Sequence, residues 1–291
     1  PKDCRMLIRS VRAMTDKPFA VNLVLAFDQD ERINICIEEQ VPVVIFSWGD
    51  GVVYAEQLKA AGILLGQTVC TASEAVYYEQ KGADFLVAQG WEAGGYVLGK
   101  VTTMVLVPAI AAQVSIPFAA AGGIANGKGI LAALTLGASG VSIGTRFMMS
   151  EEAEVHTRFQ QLIARASESD TVYSERLFNI GWDNAPHRII RNSTVNNFEK
   201  INDMSNRPGE GETIAYRADK TPIERYSDVF PLTGMTGDIE AMALYAGQSA
   251  GLVISVQSVS EIMNELVREL KNEYQNLTGL FKPLTISPKL I

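Results

Sequence analysis

The residues of this chain whose types and spacing could do chemistry gather where apolar runs end. Ala119–Ala125 reads AAAGGIA and Gly140–Phe147 reads GVSIGTRF, and each is followed by a helical stretch. Paired glycines at a strand end let the backbone approach a ligand closely and take positive φ. Backbone N–H groups at the start of the following helix then face an anion. Gly122, Gly123, Gly144 and Thr145 therefore form a candidate phosphate site, to which Thr145 adds a hydroxyl and Arg146 a cation. Ordinary tight turns would account for either loop alone. Two such loops in succession suit the phosphate site that barrels build after their last two strands.

A second constellation, Gln89–Lys100 (QGWEAGGYVLGK), leaves another apolar run. Gly94 and Gly95 would admit a flat ring, with Gln89, Tyr96 and Lys100 as polar groups beside it. For Tyr96, simple packing at the rim is the competing reading. Asn22 sits inside PFAVNLVL, where Asn is unfavourable. A buried amide needs partners, from the backbone or from a ligand. Only two histidines, His156 and His187, are present to act as neutral-pH bases. Trp182, His187, Arg188 and Asn192 are weaker candidates that a surface role would explain equally well. Cys4, Cys36 and Cys70 match no metal-ligand or redox spacing, and no metal is expected.

These residues must be positioned by elements, and the first half of the chain supplies them. Pro18–Leu25, Pro42–Ser47, Ile63–Val69, Ala83–Ala88, Pro117–Ala121 and Gly140–Ile143 read as strands. Asp30–Glu39, Val53–Ala61, Ala72–Gln80, Thr103–Val114 and Gly127–Leu136 read as the helices between them, and Asp3–Met14 as a helix before the first. Near-continuous apolar strands alternating with helices predict an α/β fold with a parallel sheet buried on both faces. No GxGxxG follows the first strand, which weakens a dinucleotide fold. The glycine-rich strand ends favour a (β/α)8 TIM barrel. A closed barrel needs eight strands and six are counted, so the expectation is that two precede Pro1. Beyond Ser150, Glu151–Ser169 reads as helix, Val172–Ile180 as helix or strand, and Ile239–Ala246 and Ser258–Asn276 as helices. Ile201–Pro231 is rich in charge, Gly and Pro, and long for a loop. The expected organisation is a barrel from residues 1–150 and 238–291, with 151–237 as a small inserted lid or substrate domain.

Composition sets the outer limits. With 291 residues, 47% of them hydrophobic, the chain can bury a sizeable core. A net charge of −8 argues against nucleic acid or an anionic membrane as partner. No run approaches the roughly 18–20 apolar residues of a membrane span, and no secretory signal is visible. A cytoplasmic monomer or homodimer acting on a small molecule is expected.

Taken together, KPFAVNL, GADFLVAQGWEAGGY, IPFAAAGGIANGKGILAALTLGASGVSIGTRFM and LYAGQSAGL resemble the nitronate monooxygenase family. That family shares its fold with the FMN-dependent enoyl-acyl-carrier-protein reductases. The resemblance implies FMN at a barrel mouth, with its phosphate on Gly122, Gly123, Gly144 and Thr145. Asn22, Gln89 and Gly95 would then lie along the flavin, and the segment holding Tyr245, Gly247 and Gln248 would close over it. The family's opening Ala-Pro-Met strand and Gly-Gly turn have no counterpart here. A further departure is Tyr96, where the family has the histidine taken to deprotonate neutral nitroalkanes. A phenol with a pKa near ~10 is a poor base at neutral pH, though it can donate to an oxyanion. The implied reaction is oxidation of an alkyl nitronate by FMN and O2 to a carbonyl compound and nitrite. Tyr96 and Lys100 would steady the anionic nitro group. GKVTTM lies closer to an NAD(P)H-dependent reductase of enoyl thioesters or quinones, whereas RIIRNS and AGQSAG lean back. An inactive or flavin-binding-only relative is the third reading.

Overall fold

Six apolar runs pair side by side, all parallel, in the order in which they occur. They are β1 (Ala20–Val24), β2 (Val43–Ser47), β3 (Leu64–Val69), β4 (Phe85–Gln89), β6 (Phe118–Ala121) and β7 (Gly140–Ser142). A two-residue strand, β5 (Gly95–Tyr96), lies between β4 and β6 in sequence but belongs to another sheet. Helices α2 (Asp30–Glu38), α3 (Ala55–Ala60), α4 (Ala72–Gln80), α5 (Thr103–Ala111) and α6 (Gly127–Thr135) make the crossovers, and α1 (Lys2–Met14) precedes them. This computed structural model describes residues 2–201 and 207–280. Within them β1 and β7 are the two edges of the sheet.

Alternation along the strands divides the sheet into two faces. Leu23, Val44, Phe46, Leu86, Ala88 and Ala120 are buried in a core shared with Ile33, Cys36, Leu58, Ala75, Leu106 and Ile110 of the helices. Each large aliphatic side chain removed from water there contributes roughly 1.5–3 kcal/mol. Asn22, Val24, Ile45, Ser47, Val87, Gln89, Ala121 and Ser142 fall at the intervening positions and line an open cleft. A strand shifted by one residue would turn its polar residues into the core, so this register is strongly specified.

Local signals start the helices. Thr71 accepts from Glu74 N–H at 3.2 Å while the Glu74 carboxylate accepts from Thr71 N–H at 3.1 Å, a capping box for α4. Asn126 accepts from Gly129 N–H at 2.9 Å and caps α6. The expected helix Val53–Ala61 is broken: Asp50 and Gln67 hold a tight 3-10 turn over Gly51–Tyr54 before α3 begins.

The later chain departs further from expectation. Helix α7 (Thr145–Met148) is one turn, and α8 (Thr157–Arg165) covers only the middle of Glu151–Ser169. His156 delays its start, capping Arg158 N–H through Nδ1 at 3.0 Å. Val172–Ile180 resolves into β8 (Thr171–Ser174) followed by irregular chain, and β8 pairs antiparallel with β9 (His187–Ile190). The short β5 joins the other side of β9. Helix α9 (Ser193–Ile201) follows; residues 202–206 of the expected loop lie outside the described residues. The rest of that stretch is not structureless. It forms β10 (Thr213–Tyr216) and β11 (Pro222–Glu224), which make a second antiparallel sheet with β12 (Thr236–Gly237).

The expected helix Ile239–Ala246 is a correction. Only Ile239–Ala241 turns, as 3-10, and the chain then runs extended to Tyr245, which bridges to Ile189. The carbonyls that a helix would use internally are taken from outside. Ala241 O accepts from Thr194 Oγ1 at 2.7 Å, Met242 O from Asn192 Nδ2 at 2.8 Å, and Leu244 O from Ile190 N–H at 2.8 Å. A short apolar run buried on every side has no periodicity to separate helix from strand. The last helix, α10 (Val259–Leu280), forms as expected and lies against α6, where Gly127 N–H donates to Glu269 at 2.8 Å.

Candidate active site

The cleft opens at the C-terminal ends of the six strands, the rim where barrel-type sheets bind ligands. It has a wide lobe of about 540 Å3 and a narrow one of about 270 Å3, which meet at Gln89, Ala121 and Ser142. The wide lobe alone is of the size that small-molecule sites occupy, and the narrow one extends it.

Backbone walls the narrow lobe. Gly122 and Gly123 leave β6 with φ of +98° and +74°, a left-handed pair that L side chains avoid. A Cβ on Gly122 would lie 2.9 Å from Gly90 O, so the turn admits no side chain. At Gly144 a Cβ would meet nothing within 4 Å, which makes its place part of the open lobe. Among the described residues, the N–H groups of Gly122, Gly123 and Gly144 make no backbone hydrogen bond. Unpaired donors beside a lobe with no carboxylate in its lining form a cradle for an anion the size of a phosphate. Thr145 is buried and accepts from Gly247 N–H at 3.0 Å through Oγ1. Met148, Ser142 and Ser249 complete the lining, none of them singled out by the sequence.

Arg146, Gly247 and Gln248 stand outside the lining of this lobe, against expectation. Arg146 turns away from the cradle: its guanidinium donates to Glu265 at 2.8 Å and to Gln257, and so ties α10 to the sheet. Gly94, which lines the narrow lobe, and Gly247, which does not, also have packing reasons to lack side chains. A Cβ on Gly94 would collide with Gly247 N, and one on Gly247 would come within 2.7 Å of Glu92 O. Gln248 lines neither lobe; its N–H donates to Glu92 O at 2.9 Å.

Side chains wall the wide lobe. Asn22 lines it, and its amide makes no hydrogen bond among the described residues. Gln89 donates to Tyr96 O at 3.1 Å, which fixes the start of β5. Tyr96 stands among rings, with centroids 4.3 Å from Trp182, 5.3 Å from Tyr245 and 6.0 Å from Trp48. Its phenol oxygen is 3.2 Å from Asp228 Oδ2 and 3.3 Å from Tyr245 Oη. Burial pushes the Tyr96 phenol up to about 12, and Asp228 adds to that. Burial likewise holds the Asp228 carboxyl above its usual range, against the pull of the Tyr96 hydroxyl. Tyr96 is therefore a protonated donor at neutral pH, not a base. Trp48, at φ +61° just past β2, turns its indole toward Trp182. Its place at a strand end on the rim was a usable sequence signal; Asp228 offered none.

The other candidates are engaged elsewhere. Lys100 lines neither lobe; its ammonium meets Glu175 at 2.7 Å at the surface, and this pairing raises its pKa. His187 is fully buried, with Nδ1 on Ala185 O at 2.8 Å and Nε2 accepting from Phe178 N–H at 3.3 Å. Burial lowers its pKa, so it is a neutral ring with both nitrogens in use. Arg188 donates to Trp91 O at 2.9 Å and covers the Trp91 ring. Asn192 bridges Met242 O and Val195 N–H. Among the residues that line the two lobes there is no Lys or Arg, and Glu74 is the sole acidic group.

Comparison with known proteins bears on the whole arrangement. The family model for nitronate monooxygenase matches residues 24–269. A probable nitronate monooxygenase of Staphylococcus haemolyticus is 30% identical, the match covering 91% of this chain and 82% of the relative. An octahydro-indene-carboxyl-CoA dehydrogenase of Rhodococcus jostii is 35% identical over 198 residues, which span 68% of this chain but only 54% of that protein. Among solved structures, FabK from Thermotoga maritima superposes with a TM-score of 0.81 at 35% identity, covering 96% of this chain and 84% of that one.

Proposed function

The chain belongs to the nitronate monooxygenase family, and on that basis we propose that it is an FMN-dependent reductase of a neutral conjugated carbonyl compound, an enoyl thioester or a quinone, with NAD(P)H as electron donor. The observation that carries this reading is the charge of the wide lobe. No Lys or Arg lines it, Lys100 is paired with Glu175, and Asp228 stands behind Tyr96. An anionic nitronate would meet no cation in that lining. A neutral carbonyl avoids that penalty and accepts a hydrogen bond from a protonated phenol. The octahydro-indene-carboxyl-CoA dehydrogenase of R. jostii and the FabK structure, an enoyl reductase neighbour, support the thioester class.

FMN fits the residues present. The Gly122–Gly123 turn and Gly144 would hold its phosphate, and Asn22, Gln89 and Gly95 would lie along its ring system. Bound FMN would supply the two-electron exchange. The protein's part is to orient the substrate carbonyl on Tyr96, to exclude water with Trp48, Trp182 and Tyr245, and to hold a proton at Tyr96 Oη. The six parallel strands are read as the larger part of a (β/α)8 barrel, with residues 151–237 as the substrate-side portion.

Oxidation of alkyl nitronates to a carbonyl compound and nitrite is the second reading. It is favoured by the family match and by a chemistry that needs no base, consistent with Tyr96 in place of histidine. Stopped-flow mixing of the FMN-loaded protein with NADPH or NADH separates the two. Rapid bleaching at the flavin maximum, reversed by an enoyl thioester or a quinone, is expected. Inertness to both nucleotides together with nitrite release from a nitronate under air would replace the reductase with the monooxygenase. Bound flavin with neither response would leave a flavin-binding relative.

A further inference from the structure

Asp228 belongs to no motif, yet the fold brings it across 132 residues of sequence to the Tyr96 phenol in the wide lobe. Its approach is built. Asp228 N–H donates to Ile180 O at 3.0 Å, and Ile180 N–H to Tyr226 O at 3.1 Å, so two short segments are locked side by side. Gly181 takes φ +115° beside them, and a Cβ there would collide with Asp228 Oδ1. A left-handed glycine thus makes room for a half-buried carboxyl behind an aromatic wall of Tyr96, Trp182 and Tyr245. The Tyr245 hydroxyl donates to the same Tyr96 oxygen at 3.3 Å.

A hydroxyl has one proton, and this geometry makes its direction depend on Asp228. With Asp228 ionised, Tyr96 donates to the carboxylate and offers only a lone pair to the cleft. With Asp228 protonated, the carboxyl donates to Tyr96 Oη, and the phenol proton is free to point at a ligand. We propose that Asp228 is the positioning residue that turns the Tyr96 proton toward the substrate and replaces that proton once it has been delivered.

The inference rests on the reductase reading. Addition of a hydride equivalent from the nicotinamide donor to the β-carbon of an enoyl thioester leaves an enolate, which needs one proton. The Tyr96 O–H bond breaks as the α-carbon C–H bond forms. The phenol oxygen takes the Asp228 proton, and the carboxylate regains one from solvent. Besides Tyr96 and Tyr245, the charged group acting on Asp228 is Arg217, whose field favours the carboxylate; burial opposes it and keeps the proton on to higher pH.

Two measurements test this on the full chain. In the FMN-loaded protein with NADPH and an enoyl thioester, wild-type kcat is followed from about pH 5 to about pH 9 and should fall with one-proton dependence where Asp228, its carboxyl held above the usual range by burial, gives up its proton. Asp228→Asn should lose that dependence and at least about tenfold in kcat, with KM little changed. Without any turnover, ultraviolet difference titration of the phenols should show one tyrosine ionising at lower pH in Asp228→Asn, because a neighbouring anion has been removed. That titration stands even if the substrate class is wrong, so the two readings fail separately. A wild-type profile flat over that range, or an Asp228→Asn variant with unmoved phenol titration and unchanged kcat, would overturn the role of Asp228. Should Asp228→Asn not fold, the wild-type profile alone decides.

Discussion

At its narrow end the cleft is walled by backbone, and at its wide end by side chains drawn from segments far apart in the sequence. Gly122, Gly123 and Gly144 act through N–H groups and through what they lack, so their identity is written into two short stretches of chain. Tyr96, Asp228, Tyr245, Trp48 and Trp182 act through contacts with one another that no local pattern encodes. On the proposed reading, the first kind of wall would hold a group common to many ligands, a phosphate. The second selects what reacts beside it. A change at the narrow end should therefore alter occupancy, and a change at the wide end should alter rate or substrate.

The sharpest way to break that comparison is Gly144→Val. Gly144 has an ordinary φ, and a side chain there meets no protein atom. The variant should fold with an unchanged apo melting temperature yet purify colourless, with flavin affinity down about 100-fold or more, as checked by fluorescence titration with FMN. Bound flavin at wild-type affinity would mean that the phosphate lies elsewhere.

Tyr96→Phe should do the opposite, keeping flavin and losing about 100-fold in kcat. If the flavin is lost instead, the two ends are not separable.

Gly94→Ala probes packing at the edge of the narrow lobe. Its Cβ would collide with Gly247 N, and overpacking of this kind costs about 1–3 kcal/mol, read as a lower denaturant midpoint. A neutral result would return Gly94 to the role of admitting a flat ring.

Next comes pH. Burial holds His187 below its ordinary 6.5, so the unfolded chain takes up a proton that the folded one refuses. Stability from this group is complete above about pH 6.5 and is lost as pH falls, by up to about 1.4 kcal/mol per pH unit. Melting temperature should drop between about pH 7 and about pH 5, and His187→Gln should remove that part of the slope. Persistence of the full slope in the variant would show that other groups cause it.

The smallest effect is expected at Lys100→Met. An exposed, solvent-screened pair such as Lys100–Glu175 contributes little to stability, and kcat should stay within about twofold. A large loss of rate would restore Lys100 to the site and reopen the case for an anionic substrate.

Much of the fold was legible because its signals are local. Six apolar runs, each bounded by turn residues, gave six strands, and caps such as Thr71 and Asn126 gave helix starts. The errors fell where a neighbour, not the chain itself, supplied hydrogen bonds. Ile239–Ala246 has helical composition, but Asn192, Thr194 and Ile190 claim its carbonyls and draw it out straight. Arg146, beside a glycine turn, looked like a phosphate ligand until α10 presented Glu265 and Gln257 to it.

By itself, then, the sequence determined the parallel sheet, the rim where its strands end and the glycine cradle, because each depends on the types and spacing of residues within a few positions. Tertiary structure alone decided that Tyr96 faces Asp228 and Tyr245, that Lys100 points to the surface, and that the wide lobe has no cation in its lining. Those are relations between residues 75 to 149 positions apart, set by how strands and loops pack. A pKa, a proton's direction and the charge a substrate meets are properties of such relations, so they exist only once the chain has folded.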